Sequence, residues 1–366
     1  MRVGIDLLYL VPGKTGGRET YARELLRGLA AERPDLQLTA FVNRETAAIG
    51  TGFWSEHGDV VELGTSGEAR GSWALGELAR LPYAARGLDV IHGLANFCPV
   101  HGRPARVVTV HDVLWRRMPK LVPLANRLAT DAMVTSAARR AHRVITVSRA
   151  SATDIVHELG VAEDRVSVVP NGAMPAPAHP PAPADLGQGS RPLALSVASD
   201  LAHKNLATLV DGLALITPAE RPLLVFAGHG TDVGELAGRA VRRGVAEDVR
   251  LLGGVGQESL ERLYAAADVV VTATRFEGFG LPVLEALARG VPVACSDLPV
   301  LREVAGDAAA WLDPEDPASL GPALRRALAE SGRLRAAGLE RAAHFSWARA
   351  ARATAETYEA ALAARG

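Results

Sequence analysis

Lysine is nearly missing from this chain. Of 40 basic residues in 366, only Lys14, Lys120 and Lys204 are lysines. Each therefore stands out against an arginine background. Cysteine is as scarce, with Cys98 and Cys295 alone. That excludes a disulfide framework and fits a reducing, cytoplasmic setting. Neither sign of charge dominates: 41 acidic residues oppose the 40 basic ones, a formal net charge of −1. Bulk electrostatics therefore gives no reason to expect a nucleic-acid partner. No apolar run approaches the ~18–20 residues of a membrane span. The opening MRVGIDLLYLVPG is interrupted by Asp6 and Pro12, so it reads as a buried first strand rather than a signal peptide.

What is present is the composition of a globular protein, 48% hydrophobic and 22% charged. The length exceeds one ordinary core, so two domains are expected. Seven short apolar runs come first: VGIDLLYL, LQLTAFV, VVEL, DVIHGL, RVVTVHD, RVITVS and RVSVVP. Amphipathic segments separate several of them. Within residues 18–30, Tyr21, Ala22, Leu25, Leu26 and Leu29 share one helical face. Strand alternating with helix predicts α/β domains with parallel sheets covered on both faces. The stretch GAMPAPAHPPAPADLGQGSRP is dense in Pro, Ala and Gly, has no period and reads as a linker. Six further runs follow it: LALSVAS, PLLVFAG, VRLLGG, DVVVTAT, VPVACSD and AAAWLD. The expected organisation is a first domain at 1–172, a linker at 173–192, a second domain at 193–345 and a closing helix at 346–366.

The richest stretch is EGFGLPVLE, residues 277–285. It sits between a buried-type strand and a helix with Pro282 in its first turn and Gly290 at its stop. The backbone N–H groups of Gly278, Phe279, Gly280 and Leu281 point above the helix N-terminus, which carries about half a positive charge. A diphosphate fits there. Glu277 and Glu285 flank it, and a carboxylate accepts from both hydroxyls of a vicinal diol. Nucleoside, diphosphate and sugar are thus laid across one turn. The plainer alternative is an ordinary turn with a capping Glu277 and a surface Glu285. Lys204, in SDLAHKN after the first strand of the second domain, falls where open α/β sheets bind ligands, and its ammonium suits a departing diphosphate. The turn TGG at 15–17 offers the N–H groups of Gly16 and Gly17 to a phosphate or an acceptor, or is simply a flexible turn. His111 and Asp112 end the strand RVVTV, and Asp112 either orients His111, meets the acceptor or is structural.

EGFGLPVLE resembles the E-x7-E signature of the retaining glycosyltransferases of family 4, which have the GT-B fold of two Rossmann-like domains facing a cleft. The resemblance covers essentially the whole chain, through TGGRETYARELLRGL, DVIHGLANFCP, VVTVHDVLW, VITVSRASATDI, VSVVPNGA, VASDLAHKNLATLVDG, LVFAGHG and FSWARAA in order. It implies a nucleotide-diphosphate-sugar donor held mainly by the second domain, a hydroxyl acceptor on the first, and transfer with retention. The acceptor would be a glycan, a lipid-linked glycan or a small natural product. By the same resemblance Glu277 holds the sugar, His111 contacts it near the reacting carbon, Gly254 and Val255 border the base, and Ser199 joins Lys204 on the donor side. Many relatives carry an arginine beside that lysine; here the preceding residue is His203. The landmarks lean toward mannosyl- or rhamnosyl-type members building surface polysaccharides, with natural-product glycosylation as the other setting. No cofactor beyond the donor and no metal are expected. Domain closure would exclude water from the reaction.

Competing readings are a sugar-nucleotide 2-epimerase, a glycoside phosphorylase and a non-catalytic sugar-nucleotide-binding module. Two look-alikes fail on inspection. PGKT has Leu8 where a P-loop needs its first glycine, and GHGTDVG has Val233 where a dinucleotide fingerprint needs its third. His92, His101 and His111 are too widely spaced for a helical metal pair. WRRMPK, 115–120, gives only weak support to peripheral membrane contact.

Overall fold

The computed structural model describes residues 1–174, 176–177 and 181–365, Arg70 by its backbone only. The chain divides into two compact units: Met1–Gly172 with Ser346–Gly366, and Ala173–Phe345. The closing segment thus belongs with the first unit. Of the expected linker, residues 175 and 178–180 lie outside the described residues. Its later part is tied to the second unit, where Ala184 N donates to Arg262 O at 3.1 Å and Arg191 pairs with Asp248 at 2.7 Å.

The first unit contains β1 (Arg2–Leu7), β2 (Gln37–Val42), β3 (Asp59–Glu62), β4 (Val90–Gly93), β5 (Ala105–Thr109), β6 (Arg143–Thr146) and β7 (Val166–Val168). They pair in the order β3-β2-β1-β4-β5-β6-β7, every pair parallel. Parallel neighbours need crossovers, and helices supply them on both faces. The helix Gly17–Glu32 buries Tyr21, Ala22, Leu25, Leu26 and Leu29, the face its periodicity predicts. The closing helix Trp347–Arg365 packs against it and against β4, β5 and β6. Gly28 permits this approach: a Cβ there would lie 2.9 Å from Trp347 O and 3.1 Å from Ala351 Cβ.

The second unit contains β8 (Leu193–Val197), β9 (Leu223–Ala227), β10 (Val249–Leu251), β11 (Val269–Thr272), β12 (Val293–Ser296) and β13 (Ala309–Leu312). Their order is β10-β9-β8-β11-β12-β13, again all parallel. Strand order therefore reverses between β8 and β11, as it does between β1 and β4 in the first unit. Such reversals open a crevice at the carboxyl ends of the strands, where ligands of this architecture bind. No helix among the described residues is long and apolar enough to cross a membrane.

Candidate functional site

The segments after β8 and β11 meet at the reversal in the second unit. Asn205, with φ +58°, ends the first of them. Its Nδ2 donates to Ala273 O at 3.0 Å and to Pro314 O at 2.8 Å, joining the segments after β8, β11 and β13. Arg275 N donates to His203 O at 2.8 Å, and Thr274 Oγ1 donates to the same carbonyl at 3.1 Å. These bonds hold Lys204 against Glu277. The Lys204 Nζ lies 2.7 Å from Glu277 Oε1, with the side chains 19% and 13% exposed. An ammonium has three donors, so the pair leaves Lys204 with capacity for a second anion.

Glycine is required where the turn enters the helix Leu281–Ala288. Gly280 has φ +100°, a conformation that side-chain-bearing residues rarely adopt. Pro282 has no N–H, and Val283 N and Leu284 N donate to Gly280 O at 3.1 and 3.2 Å, so in the first turn of that helix it is the Leu281 N–H that is left for a ligand. Phe279 is 5% exposed and its ring meets Phe345 edge-on at 5.9 Å, so Phe279 can offer a ligand its backbone only. Glu285 lies one turn into the helix. Its Oε2 accepts from the Tyr264 hydroxyl at 2.9 Å. Burial pushes the Glu285 carboxyl up, while the Tyr264 bond and the Arg289 charge pull it down.

The reversal thus gathers Ser199, Lys204, Glu277, Gly278, Phe279, Gly280 and Leu281, with Glu285 just behind. Gly254 and Val255 follow β10, two strands from β8 on the same carboxyl edge. Arg275 turns away, gripping Glu315 through Nε at 2.6 Å and Nη2 at 3.1 Å.

Gly16, Gly17, His111 and Asp112 form a separate group in the first unit. Gly16, at φ +59°, precedes the helix Gly17–Glu32. His111 is held three ways. Its backbone N donates to Asn96 Oδ1 at 2.9 Å, its Nε2 lies 2.8 Å from Leu94 O, and its ring meets Tyr21 edge-on at 4.8 Å. Since a carbonyl only accepts, Nε2 carries the proton and Nδ1 presents a lone pair. Burial pushes His111 down to about 4, so the ring is neutral at physiological pH. Asp112 Oδ1 accepts from Leu114 N at 2.9 Å, which caps its own turn. Behind His111 runs a buried chain: Tyr21 OH to Thr109 Oγ1 at 3.0 Å, Thr109 Oγ1 to His92 Nε2 at 2.8 Å, and His92 Nδ1 to Tyr358 OH at 2.8 Å. Among the described residues no group of three or more His, Cys, Asp or Glu is arranged to hold a metal ion.

Sequence reasoning missed Asn205, Thr274, Tyr264 and Tyr21. Asn205 had a signal, an asparagine directly after the lysine at a strand's carboxyl end. Tyr264 and Tyr21 had none, because an aromatic on the apolar face of a helix reads as core.

Two family models match the chain: "Glycosyltransferase Family 4" over residues 15–176 and "Glycosyl transferases group 1" over residues 183–344. The O-antigen chain mannosyltransferase B of Escherichia coli is 30% identical over 288 residues, 74% of each chain. The MMP alpha-(1->4)-mannosyltransferase of Mycolicibacterium hassiacum is 30% identical over 233 residues, 62% of this chain and 56% of that one. Among solved structures, sucrose-phosphate synthase from Thermosynechococcus elongatus superposes with a TM-score of 0.79 at 20% identity, covering 98% of both chains. Anabaena HepE in complex with UDP and glucose gives 0.76 at 22% identity, over 98% of this chain and 99% of that one. With family matches across both units and the sheet order of each, the chain belongs to the family 4 glycosyltransferases and has their GT-B fold.

Proposed function

We propose that this glycosyltransferase takes a hexosyl group from a nucleotide-diphosphate sugar held by the second unit and passes it, with retention, to a hydroxyl of an acceptor received by the first. The observation that carries the reading is the Lys204–Glu277 pair at the strand reversal, beside the N-terminus of the helix Leu281–Ala288. Alone, Glu277 would repel a diphosphate. Paired, its charge is balanced, and Lys204 still has donors for the phosphate. As the bond from the anomeric carbon to the phosphate oxygen breaks, charge builds on the diphosphate, and Lys204 and the helix N-terminus stabilise it. The other Glu277 oxygen accepts from sugar hydroxyls. Glu285 accepts from the ribose diol. His111, neutral and with Nδ1 open, accepts from a sugar hydroxyl rather than meeting phosphate.

No carboxylate nucleophile for the anomeric carbon is identified. We therefore assign a same-face substitution: the acceptor oxygen bonds to that carbon as the phosphate oxygen leaves, and the acceptor proton passes to the departing phosphate. Mannosyltransferase relatives favour a mannosyl-type donor and a glycan acceptor, and the HepE complexes with UDP support a nucleoside diphosphate as the anchoring group.

A panel of UDP-, GDP- and TDP-sugars, incubated with the protein and followed by NMR of the anomeric proton, tests this. Transfer or slow hydrolysis of one donor with the configuration kept is expected. An inverted product refutes the same-face step. An isomerised donor means an epimerase, and binding without turnover means a module.

A further inference from the structure

Glu285 is backed by a connected set of side chains that neither the glycine-rich turn nor the family signature contains. Tyr264 lies on the helix Gln257–Ala266 and is 2% exposed. Its hydroxyl donates to Glu285 Oε2 at 2.9 Å. The Arg289 guanidinium lies over the Tyr264 ring, 4.8 Å from its centroid. Arg289 is itself fixed at both ends. Its Nε and Nη2 donate to the two Glu261 oxygens at 2.8 and 2.5 Å, and its Nη1 donates to Glu285 O at 3.0 Å. The ion pair is nearly buried, with side chains 6% and 11% exposed.

The chemistry of each group sets its role. A phenol has one proton to give, and here it is given to Glu285. Burial pushes Tyr264 well above its ordinary value, so it stays protonated and remains a donor. Glu285 can only accept in that bond. An ionised carboxylate has about four lone-pair sites. With one taken by Tyr264, enough remain for the two hydroxyls of a vicinal diol, and the carboxylate plane is fixed before the diol arrives. The bidentate Glu261–Arg289 pair stops Arg289 from swinging round to take the Glu285 carboxylate itself.

We propose that Tyr264, braced by Arg289 and Glu261, is a positioning residue that holds Glu285 as a preoriented acceptor for the ribose diol of the donor. This rests on the donor reading above, so the experiment separates the two. The ligands are UDP and GDP, whichever binds the wild-type protein, and its 2′,3′-dideoxy form, with affinity measured by calorimetry. Wild-type protein should prefer the ribonucleotide. Equal affinity for both, or binding of TDP alone, whose deoxyribose has no diol, overturns this proposal and leaves the donor reading standing. Failure of UDP, GDP and TDP all to bind removes the donor reading itself.

Given that preference, Tyr264→Phe keeps the ring, its burial and the Arg289 contact and deletes only the hydroxyl. Affinity for the ribonucleotide should fall about tenfold, the scale of one hydrogen bond to a charged group. Affinity for the dideoxy form should be unchanged, so the preference shrinks. A merely structural tyrosine would weaken both ligands alike, and that result, or no change in either, overturns the proposal.

The pH profile gives a second readout. The groups facing the Glu285 carboxylate are Tyr264 and Glu261 from the neighbouring helix and Arg289 from the end of its own. The Tyr264 bond lowers the Glu285 pKa, so its loss raises it. The acidic limb of ribonucleotide binding should move to higher pH in Tyr264→Phe, and an unmoved limb counts against the assignment.

Discussion

Lys204 balances Glu277, and in the proposed reaction it also receives the departing diphosphate. Lys204→Ala removes both, leaving Glu277, 13% exposed, without its cation. The transferase rate should fall by a factor on the order of 10²–10³, the scale of losing a preorganised group that meets developing charge. The fold, followed by circular dichroism, should persist. Wild-type turnover would make Lys204 a surface residue. A second pair of side chains governs stability rather than chemistry. Asp6, at the carboxyl end of β1, and Glu77, in the π-helical turn Gly76–Arg80, are 2% and 1% exposed and hydrogen-bond each other. Burial pushes Asp6 up to about 6 and Glu77 well above its ordinary value. The folded state therefore binds protons that the unfolded chain has released. The stability this adds is complete below the ordinary carboxylate range near pH 4 and is lost as pH rises through about 6. Asp6→Asn keeps an oxygen for Leu8 N, which Asp6 Oδ1 accepts at 3.0 Å, and offers Glu77 an amide. Unfolding followed between pH 4 and 8 should show a flatter profile and a gain of about 1–3 kcal/mol at the alkaline end. An unaltered profile would mean that the pair carries no shared proton.

Gly280 decides how the helix Leu281–Ala288 meets the turn before it. A Cβ at its φ of +100° would be strained, and it would lie 2.5 Å from Leu301 Cδ2. Gly280→Ala should cost about 1–2 kcal/mol in thermal unfolding and weaken nucleotide binding, because the helix N-terminus must shift. Retained affinity would mean that the N–H groups there do not meet the ligand. This helix shows how far the sequence could be read. The thirteen strands among the described residues were legible as apolar runs: inner strands covered on both faces have no polar side to hide them, and the edge strand β3, although mostly exposed, still carries Val60 and Val61. The helix after β11 was legible from Pro282 and Gly290. The sequence set Lys204 and Glu277 after the first and fourth strands of the second unit, but their pairing, 73 residues apart, comes from the adjacency of β8 and β11, which the apolar runs do not encode. Side-chain direction was not legible. Nothing in RFEGFG says that Arg275 turns to Glu315, and nothing near Tyr264 says that its hydroxyl reaches Glu285. Such contacts depend on rotamers fixed by packing between helices, which periodicity does not encode.

The chain leaves the first unit at Gly172 and returns at Ser346, so that unit is completed only when its last helix docks. Along Trp347–Arg365 the buried face runs through Ala351, Ala355, Tyr358 and Ala361. Arg33 pairs with Glu359 at 3.0 Å, and Arg352 pairs with Glu32, so ion pairs frame the same seam. Tyr358 is the side chain that matters most there. It is fully buried, it ends the chain from His92 through Thr109 to Tyr21, and Tyr21 packs on His111. His92 is pushed down to about 3 by burial, so it stays neutral and can donate from one nitrogen and accept at the other. Tyr358→Ala should therefore destabilise the first unit by roughly 3–5 kcal/mol, the scale for deleting a large buried aromatic. It also leaves a His92 nitrogen without its partner. The second unit shares none of these contacts. Its unfolding transition and its nucleotide affinity should stay as in the wild type, while transferase activity declines with the loosened first unit. Calorimetric scans with and without the bound nucleoside diphosphate distinguish the outcomes. A lowered first-unit transition beside an unmoved, ligand-stabilised second one is expected. A single transition shifted as a whole would mean that the two units unfold as one cooperative body, and that the closing helix stabilises both.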